Sequence, residues 1–359
     1  MKITINIKNR LKGLQKFFAN DVGIDLGTAN TLVYVRGRGI IINEPSVVSV
    51  NQKTGQVVAV GLQAKNMIGR TPGHIEAIRP LVGGVISDFE VTEEMIAHLI
   101  RKTEGGNKKF IGPRVIVGIP CGITNVEARA VRDATKNNGA REVLIVEQPM
   151  AAAIGIKLPI HDPVGNMIVD IGGGTTNIAI ISLGGIVKSK SIKIAGDKLN
   201  TDIVAYIRNE FKILIGEKTA ETVKITIGSV LPQNPPLETT IRGRDLVSGL
   251  PREVIITDSD IRTAIAPSIE TIMDSIKEVI ETAPPEIVAD IMHRGIYISG
   301  GGALFRGFSE ALSEYINIPV YIAEDPLTAV ARGTGIILEN VKDYQSVLIE
   351  DDNALPPQN

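Results

Sequence analysis

Two stretches of this chain repeat one pattern. Val22-Gly23-Ile24-Asp25-Leu26-Gly27-Thr28-Ala29-Asn30-Thr31 is answered by Met167-Ile168-Val169-Asp170-Ile171-Gly172-Gly173-Gly174-Thr175-Thr176, and the spacing from Asp25 to Asp170 equals that from Thr31 to Thr176. Each copy reads apolar strand, aspartate, apolar residue, glycine, small polar turn, second strand. A single Asp-x-Gly turn is common in hairpins. Two copies at a constant offset predict two related domains that face a shared cleft.

The segments around the echo alternate in period. Val22–Ile24, Thr31–Val35, Arg114–Ile119, Met167–Val169, Ile178–Ser182 and Gly295–Ile298 read as strands, and Thr92–Thr103, Val126–Asn137, Asp197–Phe211 and Asp260–Thr282 as helices. That alternation is an α/β signature. Pro45, Pro72 and Pro80 break the region after the first hairpin, and Gly228–Arg252, with Pro232, Pro235 and Pro236, is rich in turns. Each is expected to belong to a small inserted subdomain, at about 40–75 in the first domain and about 196–260 in the second. The expected organisation is therefore a segment 1–20, a first domain of 21–152 plus 325–345, a second of 153–324, and a flexible, acidic then Pro-rich tail over 346–359.

Composition narrows the function. The 359 residues suffice for two full cores. Lys+Arg 38 against Asp+Glu 40 gives a net charge of −2, so no global field favours nucleic acid and none is expected as a partner. The one cysteine, Cys121, can form no intramolecular disulfide. His74, His98, His161 and His293 are scattered without ligand-like spacing, which argues against zinc. No apolar run approaches the roughly 20 residues that span a bilayer, and the basic N-terminus lacks the core and cleavage site of a signal peptide. A cytoplasmic location is expected.

Glycine turns can point successive backbone amides into one concavity that fits phosphate oxygens. Gly172-Gly173-Gly174-Thr175-Thr176 offers one such nest and Gly27-Thr28-Ala29-Asn30 another. Asp25 and Asp170 fall at the carboxyl ends of their strands, where ligands collect in open α/β sheets. Two carboxylates beside phosphates suit hydrated Mg²⁺; the plainer alternative is that each aspartate starts a tight turn. No Gly-x-x-x-x-Gly-Lys-Ser/Thr occurs, which excludes a P-loop. Gly300-Gly301-Gly302 lacks dinucleotide-binding spacing and reads equally as a turn packed on a base or ribose or as an ordinary tight turn. Thr124-Asn125-Val126-Glu127 matches a capping box, and Glu127 could also orient a water that attacks a γ-phosphate.

Several motifs resemble the MreB family of bacterial actins: Asp25–Thr31, Asn43–Val47, Gly69–Gly73, Ala77–Pro80, Gly84–Phe89, Pro149–Gly155, Asp170–Thr176, Ser299–Leu304 and Ala323–Gly333. The likeness runs from about residue 20 to residue 340. It implies an actin-like ATPase fold of two duplicated ribonuclease H-like domains, with ATP in the interdomain cleft. By the same resemblance Thr28, Ala29 and Asn30 contact phosphates from the first hairpin, and Gly173, Gly174 and Thr175 from the second. Asp25 and Asp170 serve the Mg²⁺ shell and Glu127 positions water. Glu221 and Lys224 lie by ribose and base, and Gly301, Gly302, Ala303 and Leu304 close the adenosine pocket. The sequence departs from the family pattern at Asn177, where an acid usually follows, at Gln148 and Thr226, each in place of a glutamate, and at Ala195 and Asn200 in the usual GGD-x-x-D. None of these removes a proposed contact group.

Residues 1–20 hold Lys2, Lys8, Arg10, Lys12 and Lys16 and no acid, while Ile7, Leu11, Leu14 and Phe18 recur at helical spacing with Phe17 alongside. This reads as an interfacial helix for anionic lipid, or else as a helix docked on the protein's own core. Lys108-Lys109-Phe110-Ile111 offers a second apolar anchor. Taken with the resemblance, the expected protein is a slow ATPase. It assembles with itself into antiparallel double protofilaments on the inner face of the cell membrane, and works with a membrane-bound adaptor and the cell-wall elongation machinery to set cell shape. A small-molecule kinase on the same fold is the alternative, although no residues dedicated to a second substrate stand out. A chaperone ATPase would need a further peptide-binding domain after the nucleotide motifs, for which too few residues are expected to follow.

Overall fold

The computed structural model describes residues 20–104 and 111–349. The chain divides into two compact units, Met1–Lys157 with Val330–Asn359, and Leu158–Ala329.

The first unit opens with the antiparallel strands β1 (Val22–Leu26), β2 (Asn30–Val35) and β3 (Gly39–Pro45). A small lobe follows: β4 (Val48–Asn51), β5 (Val57–Val60), helix α1 (Leu62–Met67) and β6 (Ile75–Ile78), its strands ordered β5-β4-β6. The short hairpin β7 (Leu81–Val82) and β8 (Val85–Ile86) leads to α2 (Phe89–Glu104). Then come β9 (Arg114–Ile119), α3 (Asn125–Asn137), β10 (Glu142–Glu147) and α4 (Gln148–Gly155). The main sheet is ordered β10-β9-β1-β2-β3, with β1 parallel to β9 and antiparallel to β2. The interior of β9 and β10 is buried, the mark of parallel strands covered on both faces. Helix α3 starts at Thr124, whose side chain accepts from the Glu127 N–H while Glu127 reaches back to the Thr124 N–H.

The second unit repeats the plan: β11 (Asn166–Ile171), β12 (Thr176–Ser182), β13 (Gly185–Ile192), α5 (Gly196–Phe211), β14 (Ile213–Leu214), α6 (Glu217–Ile227), β15 (Glu238–Asp245), β16 (Pro251–Thr257), α7 (Asp258–Glu281), α8 (Pro285–Arg294) and β17 (Ile296–Ser299). A single 3₁₀ turn, Gly301–Leu304, then α9 (Phe308–Ile316) and β18 (Val320–Ile322) complete it. Its main sheet is ordered β13-β12-β11-β17-β18, and β14-β15-β16 form a separate small sheet. Strand for strand the two main sheets correspond: β1 with β11, β2 with β12, β3 with β13, β9 with β17 and β10 with β18. The sequence echo is thus a repeat of topology. All six residues of β11 are buried, and Met167, Val169 and Ile171 share a core with Ile203 and Ile207 of α5 and Ile265, Ile269, Ile272 and Ile276 of α7.

Helix α10 (Ala329–Glu339) returns the chain to the first unit. It lies so close that a Cβ on Gly333 would overlap the carbonyl of Ala151, and one on Gly335 would meet the Tyr34 ring. Glu339 at its end accepts from the Gly37 N–H at 2.9 Å and pairs with Arg36.

Candidate functional site

In the first unit, Asp25 stands one residue before the end of β1, opposite Leu32 of β2 and Gly118 of β9. Gly118 contributes no side chain, and the space beside it is occupied by Val330 and by Gln148, the first residue of α4, whose nearest atoms would lie 3.1 and 3.7 Å from a Cβ there. Gln148 Nε2 donates to Asp25 Oδ1 at 3.1 Å, and Gln148 is 6% exposed. The turn after β1 is held from β3's end: Ser46 Oγ donates to the Gly27 carbonyl at 2.5 Å, and the Ser46 N–H to the Ala29 carbonyl at 3.0 Å. Thr28 is buried, and its Oγ1 accepts the Gly84 N–H from the β7–β8 turn at 3.1 Å. Asn30 is exposed. Glu147, just before Gln148, is pushed up to about 7 by burial.

In the second unit, Asp170 occupies the equivalent place on β11. It lies opposite Asn177 of β12 and Ser299 of β17, and Ser299 Oγ donates to its Oδ1 at 2.8 Å. Burial raises Asp170 to about 6, against the lowering effect of the Ser299 hydroxyl. The triple-glycine turn closes with the Gly172 N–H on the Thr175 carbonyl at 2.9 Å. The start of α5 folds onto this turn, the Gly196 N–H donating to Gly172 O at 3.2 Å and the Asp197 N–H to Gly173 O at 2.8 Å. Lys224 Nζ donates to Gly196 O at 2.9 Å and to Glu221 Oε2 at 2.7 Å. Asn200 Nδ2 donates to the same Glu221 oxygen at 2.6 Å. Asn200 is 2% exposed, and its Oδ1 is buried with no hydrogen-bond partner. Because Glu221 can only accept, the orientation of the Asn200 amide is fixed and the orphan is an acceptor.

Gly300 begins the turn after β17 with φ +79°, and a Cβ there would collide with the Ile171 carbonyl and come within 3.0 Å of Asp170 Oδ1. Gly302 packs in the same way against the Ile171 side chain. Ala303 is buried, whereas Leu304 is 55% exposed. This unit therefore gathers Asp170, Gly172–Thr175, Glu221, Lys224 and Gly300–Leu304 around one end of β11 and α5.

Two expected residues are occupied otherwise. The Thr176 hydroxyl donates to the Ile194 carbonyl at 2.7 Å, so this side chain ties β12 to the segment before α5. Glu127 Oε2 accepts from the Thr124 N–H at 2.7 Å and the Thr124 hydroxyl at 2.8 Å, which realises the capping alternative. Among the described residues, no group of three or more His, Cys, Asp or Glu side chains is arranged to hold a metal ion unaided. A single carboxylate such as Asp25 or Asp170 fits only a cation that brings its own waters and phosphate ligands. Of the expected membrane contacts, Ile111 is exposed, while Ile7, Leu11, Leu14, Phe17, Phe18 and Phe110 lie outside the described residues, as does the tail beyond 349. Among the described residues no helix is long and apolar enough to cross a membrane.

Sequence reasoning did not place Gln148, Ser299, Asn200 or Gly84 at these sites. In the sequence Gln148 and Asn200 stand out only as departures from a pattern, and Ser299 and Gly84 reach their partners through strand register and turn packing, which carry no local signal.

The sequence model of the MreB/Mbl protein family matches residues 19–346. The cell shape-determining protein Mbl of Bacillus subtilis is 50% identical over 326 residues, 90% of this chain and 97% of Mbl. The cell shape-determining protein MreB of Escherichia coli K12 is 48% identical over 335 residues, 92% of this chain and 96% of MreB. Among solved structures, MreB5 of Spiroplasma citri bound to ADP superposes with a TM-score of 0.86 at 41% identity, over 91% of this chain and 97% of MreB5. The MamK double helical filament subunit shares the fold at a TM-score of 0.75 and 22% identity, over 90% and 98% of the two chains. With two duplicated sheets, matched hairpins and relatives that span nearly its whole length, the chain has the actin-like fold and belongs to the MreB/Mbl family.

Proposed function

We propose that this protein is an ATP-dependent, self-assembling cytoskeletal protein that forms membrane-associated filaments and helps determine cell shape. The observation that carries the nucleotide reading is the same strand, aspartate, glycine turn and strand at the same place in both main sheets. MreB5, at 41% identity, is described bound to ADP and to AMPPNP. The orphaned Asn200 acceptor beside Glu221 and Lys224 is a ready partner for a ligand donor such as a ribose hydroxyl.

In this reading Gly27–Asn30 and Gly172–Thr175 cradle the phosphates. Glu221 and Lys224 lie by the ribose and base, and Gly300–Leu304 border the adenosine. Asp25, oriented by Gln148, and Asp170, oriented by Ser299, hold the waters of Mg²⁺. When bound, that cation would neutralise phosphate charge. Glu127 orients water in addition to capping α3. The cell-shape role follows the names of Mbl and MreB. Self-assembly into antiparallel double protofilaments, attachment through residues 1–20 and Phe110–Ile111, and work with a membrane adaptor and the wall-building machinery follow from the family resemblance. Many weak anchors on one filament bind a surface together.

Sedimentation with vesicles tests this. The protein is expected to pellet when ATP and anionic lipid are both present, and replacing Phe17 and Phe18 with Glu should abolish lipid recruitment while leaving nucleotide binding intact. A monomer that phosphorylates a sugar and never pellets would support the kinase reading instead.

A further inference from the structure

Four polar residues occupy one level across neighbouring strands of the second unit: Ser191 on β13, Asn177 on β12, Asp170 on β11 and Ser299 on β17, each directly opposite the next. Directly opposed side chains emerge on the same face of a sheet. Asn177 is 1% exposed and Asp170 6%. Within this row Ser191 Oγ donates to Asn177 Oδ1 at 2.8 Å, and Asn177 Nδ2 donates onward to Thr175 Oγ1 at 3.3 Å. Thr175 is the last residue of the triple-glycine turn and is itself buried.

The direction of this relay decides what Thr175 offers a ligand. A hydroxyl that receives a hydrogen from an amide does not spend its own hydrogen in that bond, so it can donate to an anion. A carboxylate at position 177 has no hydrogen to give. It would take the Thr175 hydrogen and leave the hydroxyl facing the ligand as an acceptor, suited to a water molecule. It would also stand directly opposite Asp170, where like charges repel. The first unit has the same polarity at the equivalent turn. Thr28 Oγ1 receives the Gly84 N–H, and a backbone amide can only donate.

We propose that Asn177 is a positioning residue that makes Thr175 a hydrogen-bond donor to the terminal phosphoryl oxygens of a nucleoside triphosphate, so that this protein favours holding a triphosphate over activating water against it. The inference rests on the nucleotide reading above. It assigns Ser191 the task of fixing the amide and makes the preference for triphosphate over diphosphate a property of the row.

The test compares ATP and ADP affinity of the full-length protein, by calorimetry, in N177D, S191A, T175V and T175S. The expected result is that N177D and T175V each reduce the preference for ATP over ADP by about tenfold, the scale of a hydrogen bond to a charged group. T175S should preserve the preference, and N177D should add nothing in a T175V background. S191A, which introduces no charge, should reduce the preference in the same direction and serves if N177D fails to fold. An unchanged ATP-to-ADP ratio in N177D, or in S191A if that variant stands in for it, would overturn the proposal, as would fully additive effects of N177D and T175V. A wild-type protein that binds neither nucleotide would instead overturn the nucleotide reading itself.

Discussion

Gln148 Nε2 lies 3.1 Å from Asp25 Oδ1, so the first side chain of α4 reaches across Gly118 to orient a carboxylate at the end of β1. In the second unit the equivalent carboxylate is oriented by its strand neighbour Ser299. The duplicated units solve one problem with different parts, because β9 carries glycine where β17 carries serine. Replacing Gln148 with Ala should therefore leave the fold intact but weaken Mg–ATP binding by about tenfold, the value of one hydrogen bond to a charged group. Calorimetry at fixed Mg²⁺ measures it, and Gln148→Glu should not restore affinity, since it sets a second carboxylate against the first.

On the proposed function, Mg–ATP binding is expected to depend on pH through Asp170. Its carboxyl sits near 6 because it is buried, and a proton there competes with the cation. Affinity should fall as pH drops from 7 to 5. Ser299→Ala removes the hydroxyl that favours the charged form, so the midpoint of that fall should move to higher pH. Titrating binding against pH in both proteins reads the shift directly.

Glu147 affects stability with the opposite sign from a salt-bridged acid. Burial raises it from 4.5 to about 7 in the folded protein, so its contribution is fully present below pH 4.5 and is lost as pH rises through 7. Glu147→Gln should raise the melting temperature above pH 7, by a free energy on the order of 1–3 kcal/mol, and leave it unchanged near pH 4. Thermal unfolding at the two pH values checks this.

Gly333→Val should destabilise the protein by about 3 kcal/mol or more. The new side chain meets the Ala151 backbone, which cannot move aside as a flexible side chain would. Denaturant unfolding measures the loss.

Glu127 separates capping from catalysis. Glu127→Ala should slow ATP hydrolysis, leave ATP binding, and cost about 1 kcal/mol of stability through the lost cap. Thr124→Ala should cost a similar amount of stability and leave turnover nearly unchanged. Equal turnover in both variants and the wild type would confine Glu127 to the helix start.

The sequence by itself determined the duplicated plan. The constant offset of the two Asp-x-Gly hairpins, the apolar strand runs and the Thr124–Glu127 box are local patterns, and local backbone preference and side-chain period suffice to read them. Tertiary structure decided how each aspartate is held. Strand register set Asn177 and Ser191 in one row with Asp170 and Ser299, and turn packing brought Gly84 to Thr28. It also decided that the Thr176 hydroxyl goes to Ile194 and that the buried Asn200 oxygen is left unpaired. These contacts join residues far apart in the chain, and their energies depend on burial and on which hydrogens are donated, neither of which a linear pattern encodes.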